Sequence, residues 1–445
     1  MNAPRRQMHL GVVVLGTGNH SAGWRWPGAA ASGCDLTVMR EIAAIAERGL
    51  FDLLFISDGL DMEPGDHPSF VNRFEPTTLL SVLSAQTRHI GLGGTVSSSY
   101  SEPYNVARIF ASLDHLSGGR AAWNVVTSSR PNAALNFSRE RHLDHALRYE
   151  RAEEFVDVVT GLWDCWDDGA ILADKATGQF IDATRVHPLD HKGRFFQVKG
   201  PMNIARSPQG HPVIIQAGGS PTGLELAART ADVVFSVVQE LDAAKLAYAD
   251  LKGRMPKFGR TPDQLAVLPG VMPIIGNSEA AARQKLSQLQ DWVTPTNALT
   301  LVSGRIGYDV TGHALDAPVP APPPTEEGGR TFSRVLYETA RRQNMTLRDL
   351  YNLTAAARGH WVLCGTPAQI ADTLEHWFVA GAADGFNILP PYFPGAFAEF
   401  VDRVVPELQR RGLFRRGYEG ATLRDHFGLP RIAPPSRNGR AAGAA

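Results

Sequence analysis

Residues 113–129, LDHLSGGRAAWNVVTSS, decide how this chain is read. The stretch reads as a helix end, a double-glycine stop and a buried strand that finishes in polar residues. Gly118 and Gly119 accept positive φ without a steric penalty, so they end the helix after Leu116. The run from Ala121 to Val126 is largely apolar, too short for a typical helix and β-branched at its end. Asn124, Thr127 and Ser128 then place amide and hydroxyl groups at the strand's C-terminal end. That is where α/β barrels and open α/β sheets hold their ligands.

The same alternation extends outwards. Apolar runs at 8–15, 53–57, 90–96, 121–126, 212–217, 231–237, 265–274 and 385–389 predict strands. Helical patterns at 35–48, 76–87, 103–116 and 145–167 lie between them. Strands that are apolar almost throughout predict parallel pairing with both faces buried. Eight of them predict an α/β fold, a closed (β/α)8 TIM barrel, with a doubly wound open sheet as the alternative. Two stretches interrupt the pattern. Residues 168–211 carry little regular periodicity, and residues 294–363 contain DAPVPAPPPTEEGG, whose prolines remove backbone donors. Both read as decorations of the barrel, the second with a helix at 332–344. The expected organisation is one barrel domain over residues 1–430. A tail at 431–445, rich in Pro, Gly, Ala and Arg, is expected to fray.

Composition narrows the function classes. With 445 residues and 43% hydrophobic side chains the chain can bury a sizeable core. Lys plus Arg number 44 against 45 Asp plus Glu, so no net field draws it to nucleic acid or an anionic membrane. No apolar stretch approaches the roughly 18 residues of a membrane span. The basic N-terminus leads into a short apolar run broken by Gly16 and Gly18, which reads as strand one and not as a signal peptide. Cys34, Cys165 and Cys364 form no CxxC pair and read as ordinary buried thiols in a reducing, cytoplasmic setting. Metal is not expected. His187 and His191 lie four apart in HPLDH, but Pro188 breaks a helix there and no HExxH occurs. Neither GxGxxG in a strand–helix context nor GxxxxGK[ST] is present.

Several residues suit ligand chemistry. In QAGGSPTG (216–223), Gly218 and Gly219 allow close backbone approach to an anion. Ser220 is a good N-cap and Pro221 suits the first helical position. An ordinary strand-to-helix turn explains the pattern equally well. Tyr149 sits in LRYERAEEF between Arg148 and Arg151, where a tyrosine at helical spacing more often packs. Asp58 follows the second strand, and a cap or loop role is its plainer alternative. His20 lies in GTGNHSAGWRWP beside Trp24 and Trp26. A histidine there suits proton handling near neutral pH, and the indoles suit exclusion of water or an aromatic substrate. A loop histidine with two packing tryptophans fits as well. His360, at the end of the second insertion, is within reach of the barrel mouth.

The motifs LFISD, FEPTTLLS, EPYNVARIFASLDHLSGGRAAWNVVTSS, RYERAEEF, SPQGHPVIIQAGG and GTPAQIADTLEHWFVAGAADGFNILPP together cover most of residues 8–410. They resemble flavin-dependent monooxygenases of the bacterial luciferase superfamily. The branch is that of nitrilotriacetate monooxygenase, dibenzothiophene-sulfone monooxygenase and the pristinamycin IIA synthase large subunit. The resemblance implies the barrel again, and a two-component monooxygenase without a metal. A separate NAD(P)H:flavin reductase would supply reduced FMN, and this chain would bind it with O2. One oxygen atom would pass through a flavin C4a-(hydro)peroxide to a small-molecule substrate.

The resemblance implies flavin phosphate at Gly218, Gly219 and Ser220, with the Tyr149 phenol donating to it. It implies Asp58 at the ribityl hydroxyls, Thr95 and Asn124 against the flavin, and a strained peptide at Val96–Ser97. Two departures stand out. The family more often has a second serine where this chain has Gly219, and Ser128 stands where some relatives carry histidine. The second departure weakens any detailed transfer of catalytic roles, and the candidates for catalysis are His20, Ser128 and His360. Trp24 and Trp26 lean towards an aromatic or heterocyclic, N- or S-containing substrate, with Arg25 and Arg130 the cations available to an acidic one. Homodimers or homotetramers are common in the superfamily. The competing readings are a deazaflavin-dependent oxidoreductase and a flavin-binding barrel without catalysis.

Overall fold

The computed structural model describes residues 6–63, 66–321, 337, 340–355 and 357–435. Each of the eight apolar runs becomes a strand of one parallel sheet, and the sheet closes on itself. β1 (His9–Val14), β2 (Leu53–Ile56), β3 (Gly91–Ser97), β4 (Ala121–Val126), β5 (Val213–Gln216), β6 (Val233–Ser236) and β7 (Ala266–Ile275) pair in chain order. After β8 (Trp361–Gly365) comes β9 (Gly385–Ile388), which joins β7 to β1 and completes the ring. The closing pairs exclude the open sheet. β8 has no counterpart in the sequence reading. It pairs with the far half of β7, from Val271 to Ile275, so residues 361–363 belong to a strand. Its first four residues are only half-buried and follow directly on the second insertion, so no clean apolar run marks it.

The helices cover the barrel: α1 (Leu36–Arg48), α2 (Pro76–Ser84), α3 (Pro103–Ser117), α4 (His145–Trp163), α5 (Pro221–Thr230), α6 (Leu241–Arg254) and α7 (Glu279–Asp291). Asp35 caps α1 by accepting from Thr37 and Val38 N–H, and Gly118 closes α3 at φ 68°. The barrel interior is filled by Val13, Phe55, Ala122, Ile215, Phe235 and Leu268. The GLGG run of β3 is spaced for this packing. A Cβ on Gly93 would lie 3.0 Å from a Leu53 methyl inside the barrel, and one on Gly94 2.9 Å from a Leu80 methyl of α2.

At the N-terminal base, three aspartates fix neighbouring strands. Asp52, Asp232 and Asp384 each directly precede a strand and accept the backbone N–H of Leu10 (2.8 Å), Ile214 (2.9 Å) and Val267 (2.8 Å). Arg415 pairs with Asp52, Arg424 grips Asp232 at 2.8 and 3.0 Å, and Lys252 lies 3.1 Å from Asp384. Burial alone would push the Asp52 carboxyl up, but Arg415 and His9 outweigh it and hold it below the ordinary range.

The first insertion contains a small antiparallel hairpin that pairs His191–Lys192 with Gln197–Val198. Phe196 packs on Phe155 of α4, ring centroids 5.5 Å apart. His187 and His191 turn to different carboxylates, Asp167 and Glu154. In the second insertion, α8 (Pro295–Ile306) and α9 (Leu347–Ala355) pack together around Val302, Leu347 and Leu350. The helix expected at 332–344 falls largely outside the described residues. α10 (Pro367–Val379) opens on a capping box of Thr366 and Gln369. The chain beyond Pro430, expected to fray, is held at first: Arg431 makes a two-pronged pair with Asp168 (2.6 and 2.8 Å). Residues 436–445 lie outside the described residues. Cys34 is exposed, contrary to expectation, Cys165 is buried and Cys364 lies between. Among the described residues, no helix is long and apolar enough to cross a membrane.

Candidate active site

The C-terminal ends of β4 and β5, with the loop after β2, border a cleft of about 300 Å³. Asp58, Ser128, Tyr149 and Gly218 line it. Thr95 and Asn124 stand on adjoining ends of β3 and β4, both buried. Thr95 Oγ1 donates to the Ile56 carbonyl and accepts from Asn124 Nδ2, each at 2.9 Å. That leaves Asn124 Oδ1 buried with no hydrogen-bond partner. Gln216, the last residue of β5, also lines the cleft, and its Nε2 is likewise buried and unpartnered. Its one signal in the sequence is that it is the polar residue of VIIQ.

One end of the cleft is the start of α5. Ser220 caps the helix, its Oγ accepting from Gly223 N–H at 3.1 Å, and Pro221 occupies the first helical position. Two of the glycines of this turn also leave room for a side chain. A Cβ on Gly218 would lie 3.1 Å from the Tyr149 hydroxyl, and one on Gly223 3.0 Å from it. These two glycines therefore make room for the phenol of α4. A Cβ on Gly219 would meet nothing within 4 Å, so its space is open to a side chain or a ligand. Backbone N–H groups at a capped helix start, next to a tyrosine hydroxyl, are donors of the kind that suit an anion.

The rim beside this helix start is held in an uncommon conformation. Ser128 has φ 51°, its Oγ lies 2.8 Å from Ser97 Oγ, and its carbonyl accepts from Arg148 and from His142 Nε2 (3.1 Å). Val96–Ser97, where the resemblance placed strain, is neither cis nor left-handed: among the described residues the cis bonds precede Pro201 and Pro394. The unusual backbone belongs to Ser128 instead. Asp58 is neither a cap nor a free loop residue. It pairs with Arg73 at 3.1 Å, and burial pushes its carboxyl up, with Arg73 offsetting only part of the effect.

His20 and His360 do not line the cleft. His20 is 1% exposed in the loop after β1. Its Nδ1 accepts the Ala22 N–H at 3.1 Å, so the neutral ring carries its proton on Nε2, which is buried without a partner. Burial lowers its pKa to about 3, so the ring stays neutral near neutral pH and does not titrate there as its ordinary pKa would have it. His360 stacks on Phe235, rings 4.7 Å apart and 4° from parallel. The tryptophans wall nothing in the cleft. Trp24 is 45% exposed, and Trp26 stacks on Tyr392 at 5.0 Å. Arg25 binds the Trp292 carbonyl, and Arg130 is held between Asp61 and Asp66, each at 2.9 Å. The lean towards an aromatic substrate loses its structural support.

The second insertion meets the loop after β1 through two contacts with no sequence signal. Ser21 Oγ lies 2.8 Å from the Tyr351 hydroxyl, and Arg358 Nη2 donates to Asn19 Oδ1 at 3.0 Å. Arg358 also lies over the Phe70 ring at 5.9 Å, with Arg73 over the same ring at 5.2 Å.

The model of the luciferase-like monooxygenase family matches residues 9–384. N-acetyl-S-(2-succino)cysteine monooxygenase of Bacillus subtilis (strain 168) is 48% identical over 96% of this chain and 98% of its own. Nitrilotriacetate monooxygenase component A of Aminobacter aminovorans is 45% identical over 97% of this chain and 99% of its own. A riboflavin lyase solved with modified FMN and riboflavin superposes with a TM-score of 0.83 at 28% identity, covering 97% of this chain and 98% of that one. By a family match over most of its length and by full-length relatives well above 30% identity, the chain belongs to the luciferase-like monooxygenase family.

Proposed function

We propose that this chain is the oxygenating component of a two-component monooxygenase. It takes reduced FMN from a separate NAD(P)H:flavin reductase and uses O2 to oxygenate a small organic substrate. The observation that carries this reading is the set of buried polar atoms without partners at the strands' C-terminal ends: Asn124 Oδ1, Gln216 Nε2, Ser57 Oγ and Ser236 Oγ. Buried polar groups are normally paired, so such a set calls for a ligand with a polar edge. A flavin fits. Its phosphate suits the start of α5 with the Tyr149 hydroxyl, its ribityl hydroxyls suit Asp58, and its polar ring edge suits Asn124. When bound, the reduced flavin supplies the two electrons that activate dioxygen. The chain's own residues anchor the tail, orient the ring against the Ser128 rim and keep water out beneath the second insertion.

For the substrate we propose a small sulfur- or nitrogen-containing organic acid. Two relatives carry such acids in their names, a succinated thioether and a tricarboxylate amine. A homodimer or homotetramer is the proposed assembly.

Anaerobic titration with reduced FMN, followed by mixing with O2 and a substrate screen scored on product, tests the reading. A monooxygenase consumes O2 in step with product. Hydride transfer without O2 would favour the deazaflavin alternative, and flavin binding with no O2 consumption would favour the non-catalytic barrel.

A further inference from the structure

We infer that Arg358 and His20 form a carboxylate-reading subsite at the seam between the loop after β1 and the second insertion. This rests on the proposed monooxygenase function and names the residues that select its acidic substrate.

Three observations converge on the seam. First, His20 presents a buried N–H with no acceptor. Its Nδ1 is occupied by the Ala22 N–H, so the orphan is the Nε2 proton. A donor left unmatched in the interior is unfavourable unless a ligand completes it. Second, Arg358 is held at φ 55°, a left-handed conformation that arginine rarely adopts, and Gly359 follows at φ 88°. The double turn sets the guanidinium against Asn19, the residue before His20. Asn19 is fully buried and donates to the carbonyls of Val13 (3.1 Å) and Pro390 (3.2 Å), which fixes that contact to the ends of β1 and β9. Third, the ring order places β1 four strands from β5. The seam therefore faces the start of α5 across the mouth, leaving the two positions for different parts of a ternary complex.

The chemistry at the seam favours a carboxylate. A guanidinium offers parallel N–H groups that match its two oxygens, and a neutral imidazole adds a directed donor without a second positive charge.

Calorimetric titration of the full-length protein, without flavin, tests the subsite. The probes are 2-(methylthio)succinate, a thioether diacid, and its dimethyl ester. The wild type is expected to bind the diacid at least tenfold more tightly than the ester. Arg358→Gln is expected to weaken the diacid at least tenfold and leave the ester unchanged, with Arg358→Lys in between. His20→Gln, which keeps a donor, is expected to lose less diacid affinity than His20→Ala. If His20 variants fail to fold, the Arg358 series decides alone. Equal affinity for acid and ester in the wild type, no affinity for the acid, or a parallel loss of both probes in Arg358→Gln overturns the proposal. Reduced-FMN titration of the same proteins is a separate readout. If the wild type binds no flavin the proposed function fails, while the diacid titration still stands or falls by itself.

Discussion

Ser21 Oγ and the Tyr351 hydroxyl lie 2.8 Å apart, joining positions 330 residues apart in the chain. Burial pushes the Tyr351 phenol up, so it remains a hydrogen-bond donor at all ordinary pH values. This contact holds α9 against the loop after β1. Tyr351→Phe removes it with little change in shape. On the proposed function, the variant is expected to keep consuming O2 but to release more hydrogen peroxide per product, because water reaches the reacting centre. Paired oxygen-electrode and peroxide assays check this, and unchanged coupling counts against the insertion as a water barrier.

Tyr149 and the start of α5 give a second prediction. Tyr149→Phe removes only a hydroxyl and is expected to weaken reduced-FMN binding about tenfold, on the order of the 1–1.5 kcal/mol of a hydrogen bond, without lowering thermal stability. Gly218→Ala, which crowds the phenol, is expected to weaken binding as well, whereas Gly219→Ser enters open space and is expected to be tolerated. Equal flavin affinities across the three variants would place the phosphate elsewhere.

His20 makes stability depend on pH. In the unfolded chain it takes up a proton near its ordinary pKa of 6.5, but in the folded chain only near 3. His426, lowered to about 4 mainly by burial, acts in the same direction. The unfolded state binds protons first, so stability is full above 6.5 and falls as the pH drops towards 3. For the fully buried His20 the loss amounts to a few kcal/mol, roughly. Urea unfolding at pH 7, 5.5 and 4.5 reads the slope, and His20→Asn is expected to make it shallower.

At the base, Arg415→Met takes the arginine away from the buried Asp52 carboxylate. Stability is expected to fall by about 3–5 kcal/mol, the usual cost of breaking a buried pair by removing one member. Urea midpoints measure it. A drop below about 1 kcal/mol, the range of exposed pairs, would mean that the pair is solvated.

The barrel was legible because its eight ring strands are short, apolar and separated by helical stretches. β8 was not, since Trp361 to Cys364 are half-buried and join the second insertion without a break. Local pattern marked both QAGGSPTG and Tyr149, and Ser220 does cap α5. It could not show that Gly218 and Gly223 yield space to a phenol some seventy positions earlier. His20 was singled out, but its protonation depends on burial and on one backbone N–H, which no pattern records. Trp24 and Trp26 misled because indoles pack on surfaces as readily as they line clefts. Arg358 carries no motif at all: its place at the seam exists only once the insertion has folded back onto β1.

The aspartate latches beneath the sheet separate scaffolding from chemistry. Asp52, Asp232 and Asp384 set the stagger of adjacent strands from below, with cations supplied partly by the chain's final segment. The opposite end can then tolerate unsatisfied donors, a left-handed serine and a left-handed arginine without loosening the cylinder. Such a foundation lets the loops above vary while the staves beneath them keep their alignment.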